Sequence, residues 1–319
     1  MTTALLEQKT RIERYLEEAP GQLSSFSFIN IFTWQEFFQF ELEMIDGNLC
    51  VFARHEAGTF LYLPPLGRNV SPGTIAKCFE RMERVNRSKG VSRVENVHAH
   101  QLPLFPAEEF SYYNKGYEYC YYRKDIAALE GNAYKSKRSS YNQFVKNYAF
   151  KYLPYDDSMQ AACGELYRSW AQSRRPAYAG NAVSLQMLKE NAGVHQLVLR
   201  YYKELGLTGR VVTVDGREAP PAGREAPPAG SLSACGSKIR AYTFGYPLKR
   251  DIFCVLFEIA DLSFNGLSVF VFREFCRDAA IAPYKFINVM DDFELENVSR
   301  TKKSFKPVAL LPSYVVTRK

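Results

Sequence analysis

Glu258 is a carboxylate near the end of one face of an apolar strand. In the run IFCVLFEIAD, from Ile252 to Asp261, period-two alternation places it beside Ile252, Cys254 and Leu256. Apolar surroundings disfavour the charged form, so a carboxyl there can act as a general base near neutral pH. A strand already emerging into solvent at that point would give the same pattern without the chemistry. A second group is cationic. From Asn132 to Tyr148, Tyr134, Tyr141, Val145 and Tyr148 fall on one helical stripe, and Lys135, Arg138, Asn142 and Lys146 share an arc of about 80° beside it. That face suits a phosphate or a carboxylate, and it is also what a solvated basic helix face looks like. A third group, Arg300, Lys302, Lys303 and Lys306, stands in a segment that otherwise reads as core.

Other candidates carry a plainer alternative. His98 and His100 could be two metal ligands, but no third His or Cys is near in sequence, which leaves a solvated loop. Asp291, Asp292, Glu294 and Glu296 could hold a cation, or could be acids favouring a helix N-terminus. Tyr112, Tyr113, Tyr117, Tyr119, Tyr121 and Tyr122 could stack on bases, or be packed strand aromatics. The phosphate-binding, dinucleotide-binding, nucleophile-elbow and metalloprotease signatures are absent.

The charge balance narrows the ligand class. The chain has 319 residues, with 41 Lys and Arg against 34 Asp and Glu, for a net charge of +7. Residues 131–155 and 297–319 together hold eleven of the cations and no acid, so the remainder carries 7 minus 11, or −4. An acidic body with two basic segments fits a phosphate-bearing ligand held at one place better than a surface that coats DNA. With 46% hydrophobic and 24% charged residues, disordered, collagen-like and coiled-coil classes are excluded. No apolar run is long enough to span a bilayer. The seven cysteines form no C-x-x-C, and their odd number fits reduced core thiols in a cytoplasm.

The elements that must position these residues alternate between strand and helix. Strands are expected at 38–45 and 49–54, turning at Asp46-Gly47, and at 59–63. A helix at 72–89, strands at 94–97 and 117–122, and the basic helix at 132–148 complete a first half. The second half repeats the scheme, with helices at 157–172 and 182–204, and strands at 210–214, 238–246 and 252–260. A helix at 266–280, a strand at 284–289, a helix at 295–304 and a strand at 308–316 follow. This order predicts a mixed α/β layer rather than a doubly wound parallel sheet. Residues 216–222, GREAPPA, recur at 223–229, and the stretch 216–237 is expected to be a disordered hairpin tip.

In this order the segments resemble a known family. DIAALEGNAYKSKRSSYNQF, from Asp125 to Phe144, resembles the D-x-x-x-L-x-G-x-x-x-x-x-K-R-x-x-x-N-x-F block of the family named for the C-terminal domain of phosphatidylglycerol lysyltransferase. FEIAD with Asn265-Gly266, then FINVMDD, then SRTKKSFKPV from Ser299 to Val308 are similar to that family's strand, glycine-started helix and closing segment. Leu63-Pro64-Pro65-Leu66-Gly67 stands where the family has a turn, so the likeness runs from about Ser24 to Tyr314. The resemblance implies two tandem GNAT (acyl-CoA N-acyltransferase)-like domains, drawn here as 1–150, ending in the basic linking helix, and 151–319.

It also implies an enzyme that moves an aminoacyl group from aminoacyl-tRNA to a hydroxyl or amine, on an anionic lipid or a phosphate-bearing small molecule, with no resident cofactor. Glu258, Lys303 and Arg300 are the implied catalytic residues. Lys137, Arg138, Asn142, Asp261, Asn265, Gly266, Asn288, Asp291 and Lys306 are the implied substrate-binding residues. A coenzyme A site normally uses R/Q-x-x-G-x-G/A, so that backbone N–H groups meet the pyrophosphate. The matching stretch from Ser263 to Ser268 keeps only Gly266. An acyl-CoA donor is therefore the alternative reading, and a non-catalytic anion-binding module is another. The expected location is cytoplasmic, or peripheral to the inner face of the membrane.

Overall fold

The computed structural model describes residues 2–178, 182–215 and 238–319. The hairpin tip expected at 216–237 lies outside the described residues, as does Cys235. The chain begins with α1 (Thr2–Glu7), α2 (Lys9–Glu18), α3 (Phe28–Trp34), β1 (Gln39–Ile45), β2 (Asn48–His55), β3 (Gly58–Leu61), α4 (Pro72–Val85), β4 (Arg93–His98) and β5 (Phe110–Tyr122). It continues with α5 (Arg123–Ala128), α6 (Lys135–Asn147), β6 (Phe150–Pro154), α7 (Gln160–Arg174), α8 (Ala182–Tyr201), β7 (Thr208–Val214), β8 (Lys238–Lys249), β9 (Ile252–Ala260), α9 (Leu267–Arg277) and β10 (Phe286–Asn288). Finally come α10 (Glu296–Ser304) and β11 (Ala309–Arg318).

These elements pack as two compact units. One comprises residues 1–120, 248–250 and 288–319, and the other 121–247 and 251–287. The division thus falls at 120/121 rather than at 150/151, α6 belongs to the second unit, and the end of the chain returns to the first. β11 is the physical reason for that return. It pairs antiparallel with β4 and with β5, Ser313 standing opposite His98 and Leu311 opposite Glu118. A strand with neighbours on both sides satisfies its backbone groups, and Val315 and Val316 of β11 are buried in the core.

In the first unit the strand order is β1-β2-β3-β4-β11-β5. Asp46 and Gly47 both take positive φ, 50° and 78°, as a two-residue hairpin turn requires, and set Ile45 opposite Asn48. Ser71 caps α4 by accepting from the Thr74 N–H at 3.1 Å, and Pro72 follows where a missing N–H costs nothing. His98 caps the 3-10 turn that follows β4, its Nδ1 accepting from His100 N–H at 3.4 Å while Gln101 Oε1 accepts from His98 N–H. That reciprocal cap gives the His98 side chain a structural role.

In the second unit the order is β10-β9-β8-β7-β6, with helices on both faces. Phe144 of α6 packs with Val212, Ala241, Ala260, Phe264 and Phe270 on one face. On the other, Phe257 lies 3.9 Å from the His195 ring of α8, and Tyr167 of α7 lies 4.2 Å from it. The mixed α/β architecture expected from the sequence is what is found. Among the described elements after Glu18, α3, α5 and β6 went unforeseen. The α6 stripe is also rotated from expectation. Phe144 is fully buried at its centre, whereas Val145 is 40% exposed.

Candidate active site

Glu258 sits on β9 with the parity of Ala260, whose side packs under α6 and α9. It is only partly exposed, and among the described residues no hydrogen bond or ion pair reaches its carboxylate. Burial alone raises its pKa to about 8. The Cys276 thiol of α9 is pushed up by burial and, secondarily, by Glu258, which places the two groups within electrostatic reach. An acid that gives up its proton near pH 8 and meets no partner among the described residues is equipped to take a proton from a hydroxyl or an ammonium. Glu258 thus lies on β9, as period-two alternation predicts, and burial accounts for its raised pKa.

The corner between α5 and α6 is held by the motif residues themselves. α5 ends with Leu129 in the left-handed region at φ 54°, and Gly131 follows at φ 77°. Arg138 reaches back from α6 and donates from Nη1 to the Leu129 carbonyl at 2.5 Å and the Gly131 carbonyl at 2.7 Å. Arg273 of α9 donates to the preceding carbonyls, Nε to Ala127 at 2.9 Å and Nη2 to Ala128 at 3.2 Å. Two guanidinium groups thus cap the carbonyls that α5 leaves open, a favourable place for cations. Lys137 beside them is half-buried, which lowers its pKa, and Asn142 is exposed.

Gly266 is packed rather than open. It adopts φ 84°, and a Cβ there would lie 2.0 Å from the Ser140 carbonyl oxygen. The turn before it is tied by Asp261, which pairs with Arg240 at 3.0 Å and accepts from Ser263 N–H at 3.0 Å. Asn265 in that turn is exposed.

In the first unit the structure gathers a buried carboxylate that the sequence did not single out. Glu118 of β5 accepts from Ser24 N–H at 2.8 and 3.0 Å, from Ser24 Oγ at 2.6 Å and from Asn288 Nδ2 at 2.6 Å. Burial outweighs these bonds and raises its pKa to about 7. Asn288 in turn accepts from Met290 N–H at 2.7 Å, fixing the bend at Met290, whose φ is 61°. Asp291 follows, its pKa raised mainly by burial and lowered by Lys302 and Lys115. Lys302 turns inward and donates to the carbonyls of Val289, Met290 and Asp291. The one signal for Glu118 was a lone acid in the aromatic run YEYCYY.

The basic residues of α10 divide by direction. Lys302 is engaged, whereas Arg300, Lys303 and Lys306 are exposed, and Arg300 pairs with Glu296 at 2.8 Å on the surface. The second unit therefore holds Glu258, Lys137, Arg138, Asp261 and Gly266, with Asn142 and Asn265 exposed. The first holds Asn288, Asp291, Arg300, Lys303 and Lys306.

Comparison with known proteins places this architecture. A conserved protein of unknown function from Bacteroides thetaiotaomicron has a TM-score of 0.80 at 22% identity, covering 98% of this chain and 97% of that one. L-PGS from Bacillus licheniformis has a TM-score of 0.62 at 14% identity, covering 97% and 91%. FemX has a TM-score of 0.54 at 9% identity, covering 98% and 96%. At these identities the likeness is one of fold, a mixed α/β architecture built on a large sheet. A search of curated proteins found no match. No described helix is long and apolar enough to cross a membrane. The family model described as phosphatidylglycerol lysyltransferase, C-terminal, matches residues 18–317, and the chain belongs to that family.

Proposed function

We propose that the protein transfers an aminoacyl group from aminoacyl-tRNA to a hydroxyl or amine acceptor, with Glu258 as the base. Membership of the family supports aminoacyl transfer in general. The observation that carries the mechanism is the Glu258 carboxylate on β9, which meets no hydrogen-bond or ion-pair partner among the described residues and whose pKa burial raises to about 8. The donor ester is already activated, so the protein has to orient the acceptor, take its proton and shield the reaction from water. The acceptor oxygen or nitrogen attacks the ester carbonyl carbon, and its proton passes to Glu258. The tetrahedral intermediate then collapses, the bond to the ribose oxygen breaks, and Glu258 returns the proton to that oxygen. The exposed cations Arg300, Lys303 and Lys306 are assigned to donor phosphates, where salt would screen them. Lys137 is assigned to the polar end of the acceptor. The family's description supports a phosphate-bearing lipid as the acceptor class.

Purified protein incubated with radiolabelled aminoacyl-tRNAs and either phosphatidylglycerol vesicles or soluble amines tests this reading. Label should move to one acceptor class in a tRNA-dependent way. No product with any amino acid would reject it. Calorimetry with acetyl-CoA addresses the acyl-CoA alternative, for which micromolar binding would be the supporting result. An anion-binding module would bind its ligand equally in the wild type and in Glu258→Gln, with no turnover in either.

A further inference from the structure

Cys50 of β2 and Cys78 of α4 place their sulfur atoms 3.5 Å apart in the core of the first unit, and neither residue has exposed surface. A disulfide needs its sulfurs about 2.0 Å apart. The remaining gap is within reach of side-chain rotation and a small approach of α4 to the sheet. We propose that Cys50 and Cys78 form a reversible disulfide site that locks α4 onto β2, with a small-molecule disulfide such as oxidised glutathione as the oxidant. One cysteine thiolate attacks a glutathione sulfur, forming a mixed disulfide and releasing one glutathione. The second thiolate attacks the protein sulfur of that mixed disulfide, forming the Cys50–Cys78 bond and releasing the other glutathione. The two protein thiol protons end on the two glutathione thiols, and the two electrons lost by the protein reduce the oxidant.

Burial sets the kinetics. Both thiols are shielded, and the contact with Cys78 together with burial holds Cys50 in the protonated form, so exchange proceeds through molecules in which α4 has lifted locally from the sheet. Low urea, short of the unfolding transition, therefore speeds the reaction. Once α4 closes again the bond is buried and shielded from reducing thiols. The bond would also close the chain between residues 50 and 78, which restricts the unfolded ensemble and raises stability.

To test the site, the full chain is incubated with oxidised glutathione in low urea, quenched with acid, alkylated and digested without reductant for peptide mapping. The expected result is a peptide pair joined through Cys50 and Cys78 that separates on reduction. The oxidised protein should also show a thermal midpoint several degrees above that of the reduced protein. Recovery of Cys50 and Cys78 as alkylated thiols, or as separate glutathione adducts, would overturn the proposal. So would an equal midpoint shift on oxidation of the double variant C50A/C78A, because the lock would then lie elsewhere.

Discussion

The α-carbon of Gly266 lies so close to the Ser140 carbonyl oxygen that a Cβ would stand 2.0 Å from it, so α9 begins in direct contact with the α6 backbone. The glycine that opens the family's helix motif is therefore needed for a close helix crossing. Its positive φ adds a second reason for glycine. Gly266→Ala should destabilise the protein by at least about 2 kcal/mol, because neither the backbone oxygen nor the φ can yield cheaply. Chemical denaturation measures the effect, and a change under about 0.5 kcal/mol would show that α6 and α9 separate freely.

Arg138 gives a test that separates structure from ligand binding. Removing its guanidinium leaves the Leu129 and Gly131 carbonyls without their donor. Arg138→Ala should lower stability by about 1–3 kcal/mol, with Arg138→Lys intermediate because an ammonium cannot present the same fork. If Arg138 instead gripped the donor directly, Arg138→Ala would weaken donor binding and leave the denaturation midpoint unchanged.

The Glu118 node predicts a similar asymmetry. Glu118→Ala removes the shared acceptor of the Ser24 N–H, the Ser24 hydroxyl and the Asn288 amide, at a cost of about 2–5 kcal/mol. Glu118→Gln keeps one acceptor oxygen and should cost less. Equal losses for the two variants, read from denaturation curves, would contradict the hydrogen-bonded role.

Stability and pH are linked through Glu258. Its pKa of about 8 in the folded protein lies above the ordinary value of 4.5. Its favourable contribution is thus complete below that ordinary value and is lost as pH rises through 8. Gln carries no charge, so Glu258→Gln should match the wild type near pH 5 and be the more stable of the two near pH 9. Thermal midpoints at the two pH values check the sign.

Much of this was legible in the sequence because its signals are local. Asp46-Gly47 announced the first hairpin, and the apolar alternation of IFCVLFEIAD placed Glu258 on β9. What stayed hidden depends on distant segments. Nothing near Glu118 says that Ser24 and Asn288 will donate to it across 94 and 170 residues of chain. Nor could a helical wheel distinguish Lys302, which turns inward on three carbonyls, from exposed Lys303 next to it. Arg138 looked like a ligand for an anion because a sequence records its charge but not the carbonyls of α5 that it meets.

In the proposed mechanism the partly exposed Glu258 carboxylate, its pKa raised to about 8 by burial, takes the proton during aminoacyl transfer. Single-turnover transfer from radiolabelled aminoacyl-tRNA, followed across pH for the wild type and Glu258→Gln, tests it most directly. The account predicts that the wild-type rate rises through pH about 8 and levels off, as the base form accumulates. Glu258→Gln should lose about 100-fold or more in rate and should lose that inflection. A Glu258→Gln enzyme that transfers at the wild-type rate, with the same pH profile, would contradict it.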